Sequence, residues 1–109
     1  MTTDTAKFSR RRVRYVDHTA SANTLIAEVG DLLHEKRQLS DPAFTARALR
    51  QYQTHFIAEI ARSETMPRDL IDLVERLAFT IAMVEGLTFS EAFEYADELT
   101  APLHERFNQ

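Results

Sequence analysis

The chain has 109 residues, 44% of them hydrophobic and 28% charged, with two glycines, three prolines and no cysteine. That is the composition of one globular domain, and it excludes both a disordered chain and a two-domain protein. The missing cysteines exclude disulfides, thiolate catalysis and the common cysteine zinc sites, and they suit a reducing cytoplasm.

The net charge of −4 is unevenly spread. Residues 1–14 hold Lys7, Arg10, Arg11, Arg12 and Arg14 against Asp4, a net +4 that leaves −8 on the remainder. The chain therefore divides into a basic arm, residues 1–17, and a single acidic domain, residues 18–109. No apolar signal core opens the chain, and no run reaches the roughly 18 residues of a membrane span, so neither a secretory signal nor a membrane anchor is expected. Within the arm, Arg12, Val13, Arg14 and Tyr15 alternate as a short strand would, and Val16 breaks the alternation. The arm reads as irregular, or as a short strand that needs a partner across a dimer. Lys7, Arg10, Arg11, Arg12 and Arg14 have the charge to contact phosphates, and Tyr15 has a ring to stack on a base.

Few glycines and prolines argue against a turn-rich all-β fold and for helices joined by short links. A first helix is expected from about Ala22 to Lys36, capped by Thr19 or Ser21, with Ala22, Leu25, Ile26, Val29, Leu32 and Leu33 at helical spacing. Gly30 lies near the opposite side, where it costs about 1 kcal/mol of helix propensity relative to alanine. It reads as a tolerated surface glycine in preference to a point of close helix approach. Asp41-Pro42 starts a second helix, with Asp as N-cap and Pro at the first helical position. It extends to about Ser63 and turns Thr45, Ala46, Leu49, Tyr52, Phe56, Ile57 and Ile60 to one side.

Pro67 breaks the chain before a third helix, from about Arg68 to Glu85, with Thr65 as its expected N-cap. In the next six residues, Gly86 to Glu91, the glycine permits the positive φ that ends a helix. Thr88 and Glu91 then have the spacing of a reciprocal capping box. The fourth helix carries Phe89, Ala92, Phe93, Ala96, Leu99, Leu103 and Phe107 on one side and Glu91, Glu94, Glu98 and Glu105 on much of the other. Pro102 is expected to kink or interrupt it, because the Glu98 carbonyl loses its helical donor. The acidic face also argues against helix four as a base-reading helix.

The third helix is the most apolar segment. Leu70, Leu73, Val74, Leu77, Ile81 and Val84 make an ordinary core face. Across from it, Phe79 and Met83 continue the line begun by Asp72 and Arg76, with Ala78 and Ala82 beside them. Either the other three helices enclose this second face, or it meets a partner. Ile71, Ala78, Phe79, Ala82 and Met83 are the candidate interface, with Phe79 and Met83 as anchors.

Signals for chemistry are weak. The chain has no glycine-rich phosphate loop and no His-Glu-x-x-His zinc signature. Asp31 with His34, and His55 with Glu59, read as surface pairs. Tyr52, His55 and Glu59 form the least poor catalytic candidate. No catalytic residue, metal, cofactor or small-molecule substrate is indicated.

These features point to an all-α fold, a small bundle of four amphipathic helices preceded by the basic arm. The expected function is a non-enzymatic interaction module or small regulator, dimerising with itself or pairing with another helical protein through helix three. The alternative is a regulator that binds nucleic acid through its arm.

Overall fold

The computed structural model describes residues 17–36 and 38–108. The arm residues Lys7, Arg10, Arg11, Arg12, Arg14 and Tyr15, and with them the choice between strand and irregular arm, lie outside the described residues. The fold is all-α, a bundle of four helices with no strand among the described residues. The helices are α1 (His18–His34), α2 (Pro42–Arg62), α3 (Arg68–Val84) and α4 (Phe89–Phe107). No described helix is long and apolar enough to cross a membrane.

Helix α1 starts four residues earlier than its apolar spacing implies. Its cap is Asp17, not Thr19 or Ser21: the Asp17 carboxylate accepts from the Ala20 N–H at 3.1 Å. Residues 18–20 are exposed and so left no apolar signal of their own. Helix α2 begins as its Asp-Pro signal requires, with the Asp41 carboxylate accepting from the Phe44 N–H at 3.0 Å. The expected cap of α3 is absent. Pro67 itself occupies the N-cap position and no side chain bonds the first turn, because the proline places the helix start beyond the reach of Thr65.

The turn between α3 and α4 forms as its sequence directs. Gly86 has φ +90°, its N–H donates to the Met83 carbonyl at 3.1 Å, and the Leu87 N–H donates to the Ala82 carbonyl at 3.0 Å. This is the double bond of a Schellman ending. One residue later Glu91 N–H donates to Thr88 Oγ1 at 3.2 Å, and Thr88 N–H donates to Glu91 Oε1 at 2.9 Å. Helix α4 then runs through Pro102 to Phe107. Its last turn is held by tertiary contacts: Leu103 and Phe107 pack on the core, and Arg106 donates to the carbonyls of Ile60 and Ser63 at 2.7 and 2.9 Å. Those bonds also satisfy the open carbonyl end of α2.

The helices alternate in direction. His18 stacks near His55 while Arg50 reaches Glu85, so α2 runs against α1 and α3. Asn23 bonds Arg76 while Leu33 and Met83 lie together farther along, so α1 and α3 run the same way. Helix α3 is the hub. It packs most heavily on α4 and α2 and less on α1, while α1 and α4 make no substantial contact with each other. The core is accordingly built around α3: Ile71, Leu73, Val74, Leu77 and Ile81 are fully buried with Leu49, Phe56 and Ile60 of α2 and Ala22 of α1.

Gln53 sits on the buried face of α2 among these apolar residues, 8% exposed, and its Nε2 has no hydrogen-bond partner among the described residues. An unmet buried amide costs roughly 1–3 kcal/mol. Gln53→Leu is therefore expected to raise stability by about 1 kcal/mol, read as a higher denaturation midpoint at unchanged slope.

The capping box has a pH signature. The Thr88 N–H, and secondarily the Thr88 hydroxyl, hold the Glu91 carboxyl below the ordinary carboxylate range. A lowered folded-state value means that the cap's contribution is complete above the unfolded Glu pKa. It is lost as pH falls through the lower folded value. A carboxyl-carbon NMR titration is expected to place the Glu91 midpoint below that of the unfolded chain, and Glu91→Gln to remove this part of the acid dependence of stability.

Candidate functional site

Because α1 and α4 make no substantial contact, α3 keeps one uncovered side, and a groove runs along it. Two adjoining recesses of about 440 and 370 Å³ share Gly30, Phe79, Thr80 and Phe89. The floor is α3, with Phe79, Thr80 and Met83. One wall is α1, with Ile26, Gly30, Leu33 and His34, and the other is α4, with Phe89, Phe93, Ala96 and Asp97.

Helical spacing explains why these residues meet. Arg76, Phe79 and Met83 follow one another on the stripe of α3 that points between its flanking helices. On α4, Phe89 and Phe93 are one turn apart, at the edge of the apolar arc that faces α1. Ala92, Ala96 and Thr100 fill the centre of that arc and are buried. Phe89 and Phe93 are 60% and 53% exposed. With Phe79 they form a closed triangle of rings, at centroid distances of 4.8 to 5.1 Å in edge or tilted contact. Such contacts fix the rings' orientation and contribute ~0.5–1.5 kcal/mol per pair. They leave the outer ring faces to solvent.

The candidate interface residues separate cleanly. Ile71, Ala78 and Ala82 are buried by this chain's own helices. Phe79 and Met83 are half-buried and line the groove. Ile71, Ala78 and Ala82 therefore back the groove, and the accessible surface is Phe79 and Met83 with Phe89 and Phe93. The last two read as core in the sequence. They are exposed, because α1, the helix across the groove, makes no substantial contact with α4.

Gly30 also belongs to this surface. It is exposed, and a Cβ added there would meet no atom within 4 Å. No packing among the described residues calls for a glycine. Nor does backbone geometry: the left-handed position at the end of α1 is filled by Lys36, with φ 57°. The groove wall thus carries a residue that weakens the helix and leaves its backbone open to close approach.

The floor becomes polar toward the start of α3. There Asp69 and Asp72 border a shallow recess with Thr19, Asn23 and Arg76. Arg76 Nη1 donates to Asn23 Oδ1 at 2.7 Å, which ties α3 to α1. Asp69, Asp72, Glu75 and Asp97 have no ion-pair partner among the described residues.

The catalytic candidate gains a member and no chemistry. His55 Nε2 lies 3.3 Å from Glu59 Oε1, and the His18 ring packs 4.4 Å from that of His55 and 6.4 Å from Tyr52. Among the described residues, no group of three His, Asp or Glu side chains is placed to hold a metal ion. No known protein family, curated protein or solved structure matches the chain.

Removing the exposed rings tests whether the groove is surface or core. Phe89→Ser with Phe93→Ser is expected to cost only about 1–2 kcal/mol, against about 3–5 kcal/mol for Phe56→Ala in the core. The double variant is also expected to lose binding of an apolar fluorescent dye. Destabilisation equal to that of Phe56→Ala would assign the two rings to the core.

Proposed function

We propose that this protein is a non-enzymatic interaction module that forms a homodimer through the groove between α1 and α4. One observation carries the reading: protrusion and recess lie side by side on one face. Phe89 and Phe93 project from it, and Phe79, Met83 and the bare backbone at Gly30 form the adjacent hollow. A two-fold contact needs such a self-complementary patch, since each copy supplies both the knob and the hole. Aromatic and methionine side chains are the residue types enriched at interface centres.

The strongly acidic face of α4 lies elsewhere, although Glu75 and Asp97 line the groove itself. The polar face of α4, with Glu91, Glu94 and Glu98 exposed, lies away from the groove, so two copies can meet without opposing these carboxylates. That face repels phosphate, so nucleic-acid binding would fall to Lys7, Arg10, Arg11, Arg12, Arg14 and Tyr15 alone. The cysteine-free chain suits a cytoplasmic regulator.

Sedimentation across a concentration series is the test. The wild-type chain is expected to pass from monomer to dimer. Phe79→Asp with Met83→Lys is expected to stay monomeric while keeping its helical circular dichroism. Gly30→Ala gives an independent sign: greater stability of the monomer by about 0.5–1 kcal/mol together with weaker dimerisation. A wild-type chain that remains monomeric throughout the series would refute the homodimer.

A further inference from the structure

We infer that in the monomer the groove is occupied by the chain's own basic arm, with Phe8 seated on the aromatic triangle and the arginines along the acidic floor. The inference rests on the groove being an interaction surface, and it names a second occupant that competes with the second copy.

Reach and register come first. The arm joins the domain at Asp17, the N-cap of α1, which is the polar end of the groove. From Asp17 to Gly30 along α1 is about 20 Å at 1.5 Å per residue. The nine residues from Phe8 to Asp17 span up to about 30 Å when extended. A chain that reverses at Asp17 and runs back over α3 therefore brings Phe8 level with Gly30, Phe79 and Phe89. On the way it carries Arg14 past Asp69 and Asp72, and Arg12, Arg11 and Arg10 past Glu75 and Asp97.

Charge comes second. Asp69, Asp72 and Asp97 are exposed and Glu75 is half-buried, and none has an ion-pair partner among the described residues. Arg76, the cation on this floor, bonds the neutral Asn23. The groove thus presents carboxylates at its near end and apolar rings at its far end. The arm presents arginines near its root and a phenylalanine beyond them, in the matching order.

The test reads Met83 in the full-length chain, with methionine methyls labelled for NMR and the protein dilute enough to be monomeric. Met83 lines the far end of the groove. Phe8→Ala is expected to move its methyl signal by several linewidths. Replacing Arg10, Arg11, Arg12 and Arg14 with glutamine is expected to move it in the same direction, as is raising the salt to ~0.5 M, where charge attraction is screened to about 4 Å. An unmoved Met83 signal in all three conditions overturns the inference. So does a shift that grows with protein concentration, because that assigns the occupancy to a second copy. The homodimer reading fails separately: if no variant self-associates, the Met83 signal still reports on the arm.

Discussion

Helix α3 has more apolar surface than three helices can cover, and this mismatch organises the molecule. Its core face is closed by α2, one flank by α4 and the other by α1. Closing the remaining side would need α1 and α4 to meet, or a fifth helix. In a domain of this size only about 60–65% of the surface exposed by the unfolded chain can be buried, and no fifth helix is present among the described residues to close that side. The uncovered side falls on the C-terminal half of α3, where the stripe that begins with Asp72 and Arg76 ends in Phe79 and Met83. A polar stripe over its whole length would leave an ordinary solvent-facing groove.

The energetic cost of that open side is limited by local devices. The Schellman ending at Gly86 and the Thr88–Glu91 box position the first turn of α4 directly over the end of α3. Phe89 therefore reaches Phe79 and shields part of it. At the far end of α4, Arg106 closes the carbonyls of α2 and keeps the helix continuous past Pro102. Both ends of α4 are thus fixed against elements other than α1. The angle of α4, and with it the width of the groove, is set without substantial contact to the opposite wall.

How much of this is legible in the sequence depends on whether the cause is local. Asp41-Pro42 and the Gly86–Glu91 turn act within a few residues, and the structure forms both as their sequence implies. The start of α1 was hidden because His18, Thr19 and Ala20 are exposed and carry no apolar period. The continuity of α4 through Pro102 was hidden because Arg106 bonds residues more than 40 positions away. Gln53 carries no sequence signal, because nothing in a polar residue at a helix position announces that its neighbours bury it. The groove is the most instructive case. Its floor residues, Phe79 and Met83, stand out by their place on a helix already apolar on its other side. Its wall residues, Phe89 and Phe93, continue a periodic stripe and can be told from core only once the distance between α1 and α4 is known.

Several departures from local rules lie in one region, apart from Gln53 and the exposed Phe44 of α2. Gly30 weakens the second half of α1 with no packing reason among the described residues. Lys36 takes a left-handed conformation that a glycine would accept at lower cost. Two phenylalanines face solvent where serine or glutamate would suit a free helix surface. Each of these opposes the stability of the isolated domain, and the glycine and both rings lie on the walls of the same groove, at the end where α1 finishes. Residues that satisfy neither propensity nor packing in the monomer are accounted for together if that surface is covered by another segment of chain. The unpaired carboxylates at the groove's other end extend the argument from shape to charge: an occupant that satisfies the whole groove must be apolar at one end and cationic at the other.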